Sequence, residues 1–249
     1  MLAGSPSIAV DAESTLPDRY MNSPGNAGAS TALILTVTKT ADTNDGACNA
    51  DCSLREAIGA ANSVASDDTI QFDPSVFSTP QIIALTSGQL PVCNNGTLTI
   101  NGTGSTQLVI SGSNQSRVLR VFPGGNATLN GVTIADGNTG FGPFTGCPAV
   151  GTGDASFGGG GIENAGTLFI NNSVIRNNLT NSGAAGGIAN AYGKLTLTNS
   201  AVRNNRAGLN YGGIGNFGFG TPLPVTVTIV NSQIINNEAT GANVEGGGG

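Results

Sequence analysis

The chain has no histidine and no tryptophan, and charged residues fill only 10% of its 249 positions. Without histidine, nucleophile pairs of the Ser-His or Cys-His type and histidine-containing polygalacturonase-like sites are excluded. Nine Lys and Arg stand against fifteen Asp and Glu, which gives a net charge of −6. Nucleic acid and anionic membranes require a cationic patch, so neither is expected as a partner.

Long apolar runs are also missing, because no segment approaches the ~18–20 residues of a membrane span. We therefore expect no membrane insertion. Residues 1–31 lack the basic start and apolar core of a signal peptide, and their Gly, Pro, Ser, Asn and Ala content predicts a flexible, low-complexity segment. Export information then lies outside this sequence, or the gene start is incomplete.

Cysteine is scarce, with four residues in all. Of the three possible connectivities we favour Cys48 with Cys52 and Cys93 with Cys147, which predicts an oxidising compartment. Free thiols are the alternative. A zinc site is disfavoured because the chain has neither His nor a Cys-x-x-Cys pair.

What the sequence does have is a repeat. The pattern Gly-Gly-Ile-x-Asn occurs at Gly160–Asn164, Gly186–Asn190 and Gly212–Asn216, with a constant spacing of 26 residues. A fixed period of 20 to 50 residues indicates one structural unit stacked on copies of itself. The chain is therefore predicted to be a solenoid.

Five rows of alternating residues predict the strands of this solenoid. The second and fourth positions of each row are apolar and the other two are mostly Thr, the period of a strand with one buried face. A second short strand follows, with apolar Ile134, Ile175, Val202 or Ile234 at its centre. The rows are Thr97–Ile100, Asn126–Leu129, Thr167–Ile170, Lys194–Leu197 and Thr226–Ile229.

Asparagine recurs at the predicted corners between strands. Asn tolerates left-handed backbone geometry, and its amide can bond the amide of the next rung, so stacked Asn residues predict ladders. In three turns a further Asn follows directly. The predicted ladder residues are Asn164, Asn190, Asn216, Asn177, Asn204 and Asn236.

Short strands with several corners per repeat, and no room for a helix in each, predict an all-β fold: a parallel β-helix over residues 73–249. The right-handed form is expected from the usual hand of parallel crossovers. A leucine-rich horseshoe is disfavoured because its Leu-x-x-Leu-x-Leu spacing is absent. The longest interruption, the Gly-rich loop 138–157, contains Cys147 and is expected outside the solenoid.

Residues 32–72 are predicted to form an N-terminal cap with a short helix. Ser53 and Glu56 have the spacing of a capping box, and apolar residues of 54–63 fall on one helical face. A strand is expected over 33–39, and the first rungs over 69–72 and 82–85. Because an open first rung exposes apolar core and strand edge, we expect the helix to cover it.

The segment Cys52-Ser-Leu-Arg-Glu-Ala-Ile58, with Asp42 to Gly46 and Cys48 before it, resembles the bacterial CSLREA domain. The Gly-Gly-Ile and Ile-x-Asn-Asn elements are more loosely similar to chlamydial polymorphic outer-membrane protein repeats. Together the resemblances cover residues 33–249. They imply a right-handed β-helix exposed at a bacterial surface, and they imply no catalytic reaction.

The Asp-rich turn before the helix is a candidate calcium site, since calcium binds carboxylates and amides in loops. The alternative is that these residues form turns and cap the helix. The turn does not follow the EF-hand pattern. We expect no other cofactor. The candidate ligands are Asp42, Asn44, Asp45 and Asp51.

An enzyme acting on acidic polysaccharides is the second functional hypothesis. It would place calcium on the carboxylates of the central rungs, with Arg176 or Arg203 as the base, an analogy made at the level of fold alone. The two arginines fit an outer solvated stripe better. Asp67 and Asp68 are expected to solvate a turn. The central carboxylates are Asp136, Asp154 and Glu163.

Ice binding by an outward threonine face is the third hypothesis. One predicted column holds Thr99, Thr128, Thr196 and Thr228, and the other holds Thr97, Thr167 and Thr226. Thr is also simply a favoured strand residue. Phe169, Lys194 and Asn126 interrupt the two columns.

The leading hypothesis is a non-catalytic extracellular β-helix, structural or adhesive, at a bacterial cell surface. Its partners would be glycans, the rest of a longer surface protein, or copies of itself. Residues 246–249 resemble the start of another repeat. We therefore expect either that the natural chain continues, or that the last rung docks end to end on another copy.

Overall fold

The computed structural model describes residues 30–93, 96–139, 147, 158–218 and 224–241. Most of the predicted loop 138–157, the segment 1–29 and the Gly run 246–249 lie outside the described residues. Two helices are present, α1 Leu54–Asn62 and α2 Pro74–Phe77. The strands, in chain order, are β1 Ile34–Val37, β2 Asp68–Phe72, β3 Gln81–Ala84, β4 Leu90–Val92, β5 Thr97–Asn101, β6 Leu108–Ser111, β7 Leu119–Val121, β8 Asn126–Asn130, β9 Thr133–Ala135, β10 Ile162–Asn164, β11 Thr167–Asn171, β12 Val174–Arg176, β13 Leu179–Thr180, β14 Ile188–Ala191, β15 Lys194–Thr198, β16 Ala201–Arg203, β17 Arg206–Ala207, β18 Ile214–Phe217, β19 Thr226–Val230, β20 Gln233–Ile235 and β21 Glu238–Ala239.

The strands form four parallel sheets of seven, six, five and three strands, in which neighbouring strands come from successive turns of the chain. Sheet A has the order β1-β2-β5-β8-β11-β15-β19, and sheet B the order β3-β6-β9-β12-β16-β20. Sheet C has the order β4-β7-β10-β14-β18, and sheet D the order β13-β17-β21. This topology is a parallel β-helix, and the predicted fold class is confirmed.

The five predicted rows are neighbouring strands of sheet A, and they pair in register. Leu98 aligns with Ala127, then with Leu168, Leu195 and Val227. The predicted second strands align in the same way in sheet B through Ile134, Ile175, Val202 and Ile234. Register is set by the buried apolar face, because a slip of one residue would turn every apolar side chain outward.

A continuous apolar column runs through the solenoid and forms its core. Its members in sheet A are Ile100, Leu129, Ile170 and Leu197, each with at most 1% of its surface exposed. Burying each of these side chains contributes about 1.5–3 kcal/mol relative to leaving it in water. Stacking therefore stabilises the fold, since a single rung has no interior of its own.

One glycine before the first Gly-Gly-Ile repeat shows how closely successive turns approach each other. Gly158 has φ +110°, and a Cβ at this position would meet the carbonyl oxygen of Ala184 in the next turn at 1.5 Å. Only glycine combines this positive φ angle with the absence of a Cβ that would clash with the carbonyl oxygen. The close approach of these two turns thus requires glycine at position 158.

The predicted cap is continuous with the solenoid. The strand expected over 33–39 is β1, and it pairs with β2 as the first member of sheet A. Helix α1 follows β1 and packs against β1, β2 and β4, burying Leu54, Ala57 and Ile58 in the common core. The short helix α2 was not predicted, although Asp73 caps it and Pro74 begins it, a common start signal.

Candidate functional site

Helix α1 begins with the predicted capping box. The Ser53 hydroxyl Oγ accepts a hydrogen bond from the backbone N–H of Glu56 at 3.1 Å. In return, Glu56 Oε2 accepts one from the backbone N–H of Ser53 at 2.7 Å. Both donors have no partner within the helix itself, so the pair of side chains satisfies them and fixes the helix start.

Asp42, a candidate calcium ligand, forms a buried ion pair with Arg55 of α1. Arg55 Nε donates to Asp42 Oδ1 at 2.7 Å, and Arg55 Nη2 donates to Oδ2 at 3.0 Å. Oδ2 also accepts hydrogen bonds from the backbone N–H groups of Thr86 and Ser87, at 2.7 and 3.0 Å. This carboxylate therefore joins α1 to the chain that follows β3.

The other calcium candidates make separate contacts. Asp45 Oδ1 accepts a hydrogen bond from the backbone N–H of Ala47 at 2.9 Å, which closes an Asx turn. Asp51 pairs with Lys39 Nζ at 2.9 Å, and Asn44 is exposed. Within the described ranges, no three His, Cys, Asp or Glu side chains are grouped to hold a metal ion. Calcium binding at this turn stays a prediction.

Side chains of α1 complete the edge of sheet C. Strand β4 is the first of that sheet, so one side of its backbone has no neighbouring strand. Arg55 Nη1 donates to the carbonyl oxygen of Gln89 at 3.1 Å. Asn62 Nδ2 donates to the carbonyl oxygen of Pro91 at 2.8 Å, and its Oδ1 accepts from the backbone N–H of Cys93 at 3.0 Å. The helix thus takes the place of a preceding strand.

Two carboxyl groups of the cap have lowered pKa values. Burial raises the pKa of Glu56, but hydrogen bonds from the backbone N–H groups of Ser53 and Asp45 outweigh it, and the net pKa lies below the ordinary value. For Asp42, burial likewise raises the pKa, whereas hydrogen bonds from Arg55 and the backbone lower it, with a net decrease. Both groups are therefore ionised at neutral pH and stabilise the cap in that form.

Both predicted disulfides are present. Cys48 is bonded to Cys52 inside the cap, and Cys93 is bonded to Cys147 across 54 residues of sequence. Phe122 packs against the second pair. Since such bonds persist in oxidising surroundings, they indicate a non-cytoplasmic protein.

One predicted amide ladder runs through the repeat motif itself. Asn164 Nδ2 donates to Asn190 Oδ1 at 2.7 Å, and Asn190 Nδ2 donates to Asn216 Oδ1 at 2.7 Å. Asn164 and Asn190 are completely buried. These two residues therefore lie inside the solenoid, where each amide satisfies a polar group of the next turn, whereas Asn216 is exposed.

A second ladder lies one residue later than predicted. Asn178 Nδ2 donates to Asn205 Oδ1, and Asn205 Nδ2 donates to Asn237 Oδ1, both at 2.9 Å. All three are buried. The predicted residues directly precede them, have left-handed φ angles of 56°, 56° and 54°, and face solvent: Asn177, Asn204 and Asn236. The left-handed residue turns the chain, so its successor points inward.

Two further ladders have no counterpart in the predictions. Asn171 Nδ2 donates to Asn130 Oδ1 at 3.0 Å, and Asn130 Nδ2 donates to Asn101 Oδ1 at 2.8 Å. A serine ladder joins successive rungs through Ser200 Oγ, which accepts from the backbone N–H of Ser173 at 3.1 Å. The signal was present in the sequence, because these residues recur at equivalent row positions.

Asp67 and Asp68, at the start of β2, both accept hydrogen bonds from backbone N–H groups, but only Asp67 is exposed. Asp67 Oδ1 accepts from the backbone N–H of Thr97 at 2.8 Å. Asp68 is buried, and its Oδ1 accepts from the backbone N–H of Leu33 at 2.8 Å. The expectation that both residues solvate a turn was wrong for Asp68, because its carboxylate is buried and accepts a hydrogen bond from a backbone amide of the cap.

The structure separates the carboxylates considered for catalysis. Asp136 follows β9 in sheet B, and its Oδ2 accepts from the Ser111 hydroxyl at 3.3 Å. Glu163 lies in sheet C, where Arg117 Nη1 is 2.8 Å and Arg120 Nε 3.6 Å from its Oε2. Asp154 lies outside the described residues. Asp136 and Glu163 thus belong to different faces of the solenoid.

The buried charges around Glu163 were not predicted from the sequence. Arg117, 4% exposed, also donates to the carbonyl oxygens of Gly159 at 2.9 Å and Gly158 at 2.8 Å. It therefore joins the two residues just before the first Gly-Gly-Ile repeat to the preceding turn. Buried ion pairs of this kind are costly to break, because the remaining charge stays desolvated.

Outward residues of sheets A and B form columns as predicted. In sheet A, Thr99, Thr128, Thr196 and Thr228 are in register, with the half-exposed Phe169 between the second and third. Ice binding at this interrupted column stays a prediction. In sheet B, Arg176 pairs in register with Arg203.

At the C-terminal end of the described solenoid the apolar column is uncovered. Ile229 continues the column of Ile100, Leu129, Ile170 and Leu197, yet 46% of its surface is exposed. The edges of sheets A and B at this end are β19 and β20. No described residue lies over this rung in the place where a further strand would pair.

No family model matches the chain, and neither curated proteins nor solved structures gave a match. In the described part of the chain, neither helix is long and apolar enough to cross a bilayer. The resemblance of the cap to the CSLREA domain stays a prediction.

Proposed function

We propose that this protein is a non-catalytic structural or adhesive β-helix on the outside of a bacterial cell, as the CSLREA resemblance implies. Two disulfides support an extracellular location, and the capped, ladder-reinforced solenoid suits a rigid spacer or contact surface. The partners we propose are surface glycans and other β-rungs.

The single observation that carries the proposal is the exposed last rung. An apolar core end with open strand edges binds further β-structure readily. The occupant is a further rung of a longer surface protein or, in the assembly we propose for this chain, a second copy of it. Sheets A and B end at β19 and β20 on one side and at β1 and β3 on the other, so head-to-tail stacking would continue both sheets. A contact of this type does not close and builds a filament.

Sedimentation velocity over a range of protein concentrations tests this assembly. We expect the wild-type chain to form species that grow with concentration, and Ile229→Lys to remain monomeric. Phe169→Lys is the matched control, because Phe169 is 43% exposed on a lateral face and Ile229 is 46% exposed at the end. A wild-type chain that stays monomeric at all concentrations would contradict head-to-tail assembly.

The enzyme alternative is tested separately by incubation with pectin or alginate and calcium, with ultraviolet detection of unsaturated products. We expect no turnover. Turnover that disappears in Arg176→Ala or Arg203→Ala would overturn the non-catalytic proposal.

A further inference from the structure

The outer face of sheet B carries two arginines on neighbouring rungs. Arg176 ends β12 and Arg203 ends β16, and the two pair in register. Neighbouring strands lie about 4.8 Å apart, so the side chains start one rung apart. Among the described residues, no carboxylate lies within ion-pair distance of either guanidinium. An anion bound between the two would offset their repulsion.

A polar groove of about 460 Å³ lies beside this pair, at the corner between sheets A and B. Three exposed amides from successive rungs line it: Asn172, Asn199 and Asn231. All three have left-handed backbone conformations, with φ of 50°, 50° and 48°. The groove is therefore lined along the solenoid axis by uncharged donors and acceptors.

The groove and the arginine pair form one surface. Val174 and Ala201 line the groove and lie two residues before Arg176 and Arg203 on the same strands. Residues two apart on a strand point to the same face and are about 7 Å apart, while the intervening Ile175 is buried in the core. We call this surface, from the three amides to the two guanidinium groups, the Arg176–Arg203 site.

We propose that the Arg176–Arg203 site binds an acidic polysaccharide, a glycan that carries carboxylate or sulfate groups. Guanidinium groups bind such groups through paired, charge-assisted hydrogen bonds. The amides of the groove match the hydroxyl groups of sugar rings, which are both donors and acceptors. This inference rests on the proposed function in one respect, because it presumes a location where polysaccharides occur.

Neighbouring rungs limit the charged part of the site. One rung earlier, Ala135 occupies the place of Arg176, and Asp136 follows it. One rung later, Ile235 occupies the place of Arg203. The site therefore offers cations at two rungs only, and one acidic group of the glycan is expected to occupy them.

Isothermal titration calorimetry of the full chain tests the proposal. The probes are polygalacturonate for carboxylate groups, heparin for sulfate groups, neutral dextran, and single-stranded DNA as a polyanion of another class. We expect binding to at least one acidic glycan, none to dextran, and weaker binding to DNA. Loss of both arginines in Arg176→Ala/Arg203→Ala should weaken glycan binding at least about tenfold.

The matched control removes two positive charges elsewhere. Lys194→Thr/Arg206→Ala changes sheet A and the exposed Arg206–Glu238 pair, and should leave binding within about twofold of wild type. Asn199→Gly keeps the left-handed backbone and removes one amide, and should weaken binding several-fold. Thermal melts of every variant check that the fold is retained.

Three results would overturn the site. They are no binding of either acidic glycan by the wild type, equal weakening by the arginine variant and the charge-matched control, or DNA binding as tight as glycan binding. Each leaves the proposed structural role intact, because that role is tested by assembly and by turnover. Conversely, turnover of the glycan would overturn the non-catalytic role and leave the binding site in place.

Discussion

The two ends of the described solenoid differ in how far their apolar core and strand edges are covered. At the N-terminal end, α1 buries Leu54 and Ile58 over the first rungs and supplies Arg55 and Asn62 to the open backbone of β4. At the other end, Ile229 and the edges of β19 and β20 are exposed. At the N-terminal end, α1 thus blocks the addition of a further strand to sheet C. At the other end of the described solenoid, the edges of sheets A and B are accessible.

This difference shows that a cap needs more than apolar cover. A strand edge also presents unpaired N–H and C=O groups, and burying these without partners costs free energy. The cap satisfies them with an arginine and an asparagine side chain. Hydrophobic cover alone would close the core and leave the backbone of β4 unpaired.

The largest effect is expected from breaking the cap. Arg55→Met should lower the free energy of unfolding by about 3–5 kcal/mol, because it leaves Asp42 buried without its ion partner. Urea denaturation followed by circular dichroism measures the change. Arg206→Met removes an exposed arginine and should cost no more than about 0.5 kcal/mol. Equal losses of stability in the two variants would contradict a stabilising role for the buried Arg55–Asp42 ion pair.

The next largest effect compares the interior of the apolar column with its open end. Leu197→Ala should cost about 2–5 kcal/mol through lost burial and the cavity that remains. Ile229→Ala, at the exposed end, should cost roughly 1 kcal/mol or less. Both are measured by urea denaturation at a protein concentration low enough to prevent assembly. A large cost at Ile229 under these conditions would mean that something covers the last rung.

The amide ladder offers a smaller version of the same comparison. Asn205 donates to Asn237 and to the carbonyl oxygen of Ile175, and accepts from the backbone N–H of Asn178. Asn205→Ala should cost roughly 1–3 kcal/mol by leaving buried partners unsatisfied. Asn204→Gly, at the preceding exposed left-handed position, is the control and should cost only a few tenths. A larger loss of stability in Asn204→Gly than in Asn205→Ala would indicate that the ladder is formed by Asn204, as the sequence predicted.

The smallest effect at neutral pH concerns the cap carboxyls. Because the pKa values of Glu56 and Asp42 are lowered in the fold, their stabilisation is complete above the unfolded values of about 4 and is lost as the pH falls through the lower folded values. Melting temperatures from pH 7 to 2 should therefore fall steeply below pH about 4. Glu56→Gln should flatten part of that fall, and an unchanged profile would contradict the assignment.

The strands were predictable because their information is local. Alternation places Leu168 and Ile170 on one face whatever the surroundings, and stacking of identical rows then fixes the register. The corner ladder was displaced by one residue because periodicity does not reveal which of two consecutive asparagines turns the chain. Only the backbone shows that Asn177 takes the left-handed conformation and that Asn178 points inward.

Contacts between distant segments were not predictable in this way. The Asp-rich turn has the composition of a calcium loop, yet Arg55 and the backbone of Thr86 bind Asp42 in the fold. Similarly, nothing in the spacing of Arg117 and Glu163 indicates a buried ion pair. Both depend on which loops the solenoid brings together.

The amino-acid sequence by itself determined the β-helix, its rows and the capping box, because each follows from short-range spacing or from a repeat. Tertiary structure alone decided that α1 completes the edge of sheet C and that Arg176 and Arg203 lie beside a polar groove. These features require knowing what lies one turn above or below a residue, and that distance in the chain varies with every inserted loop.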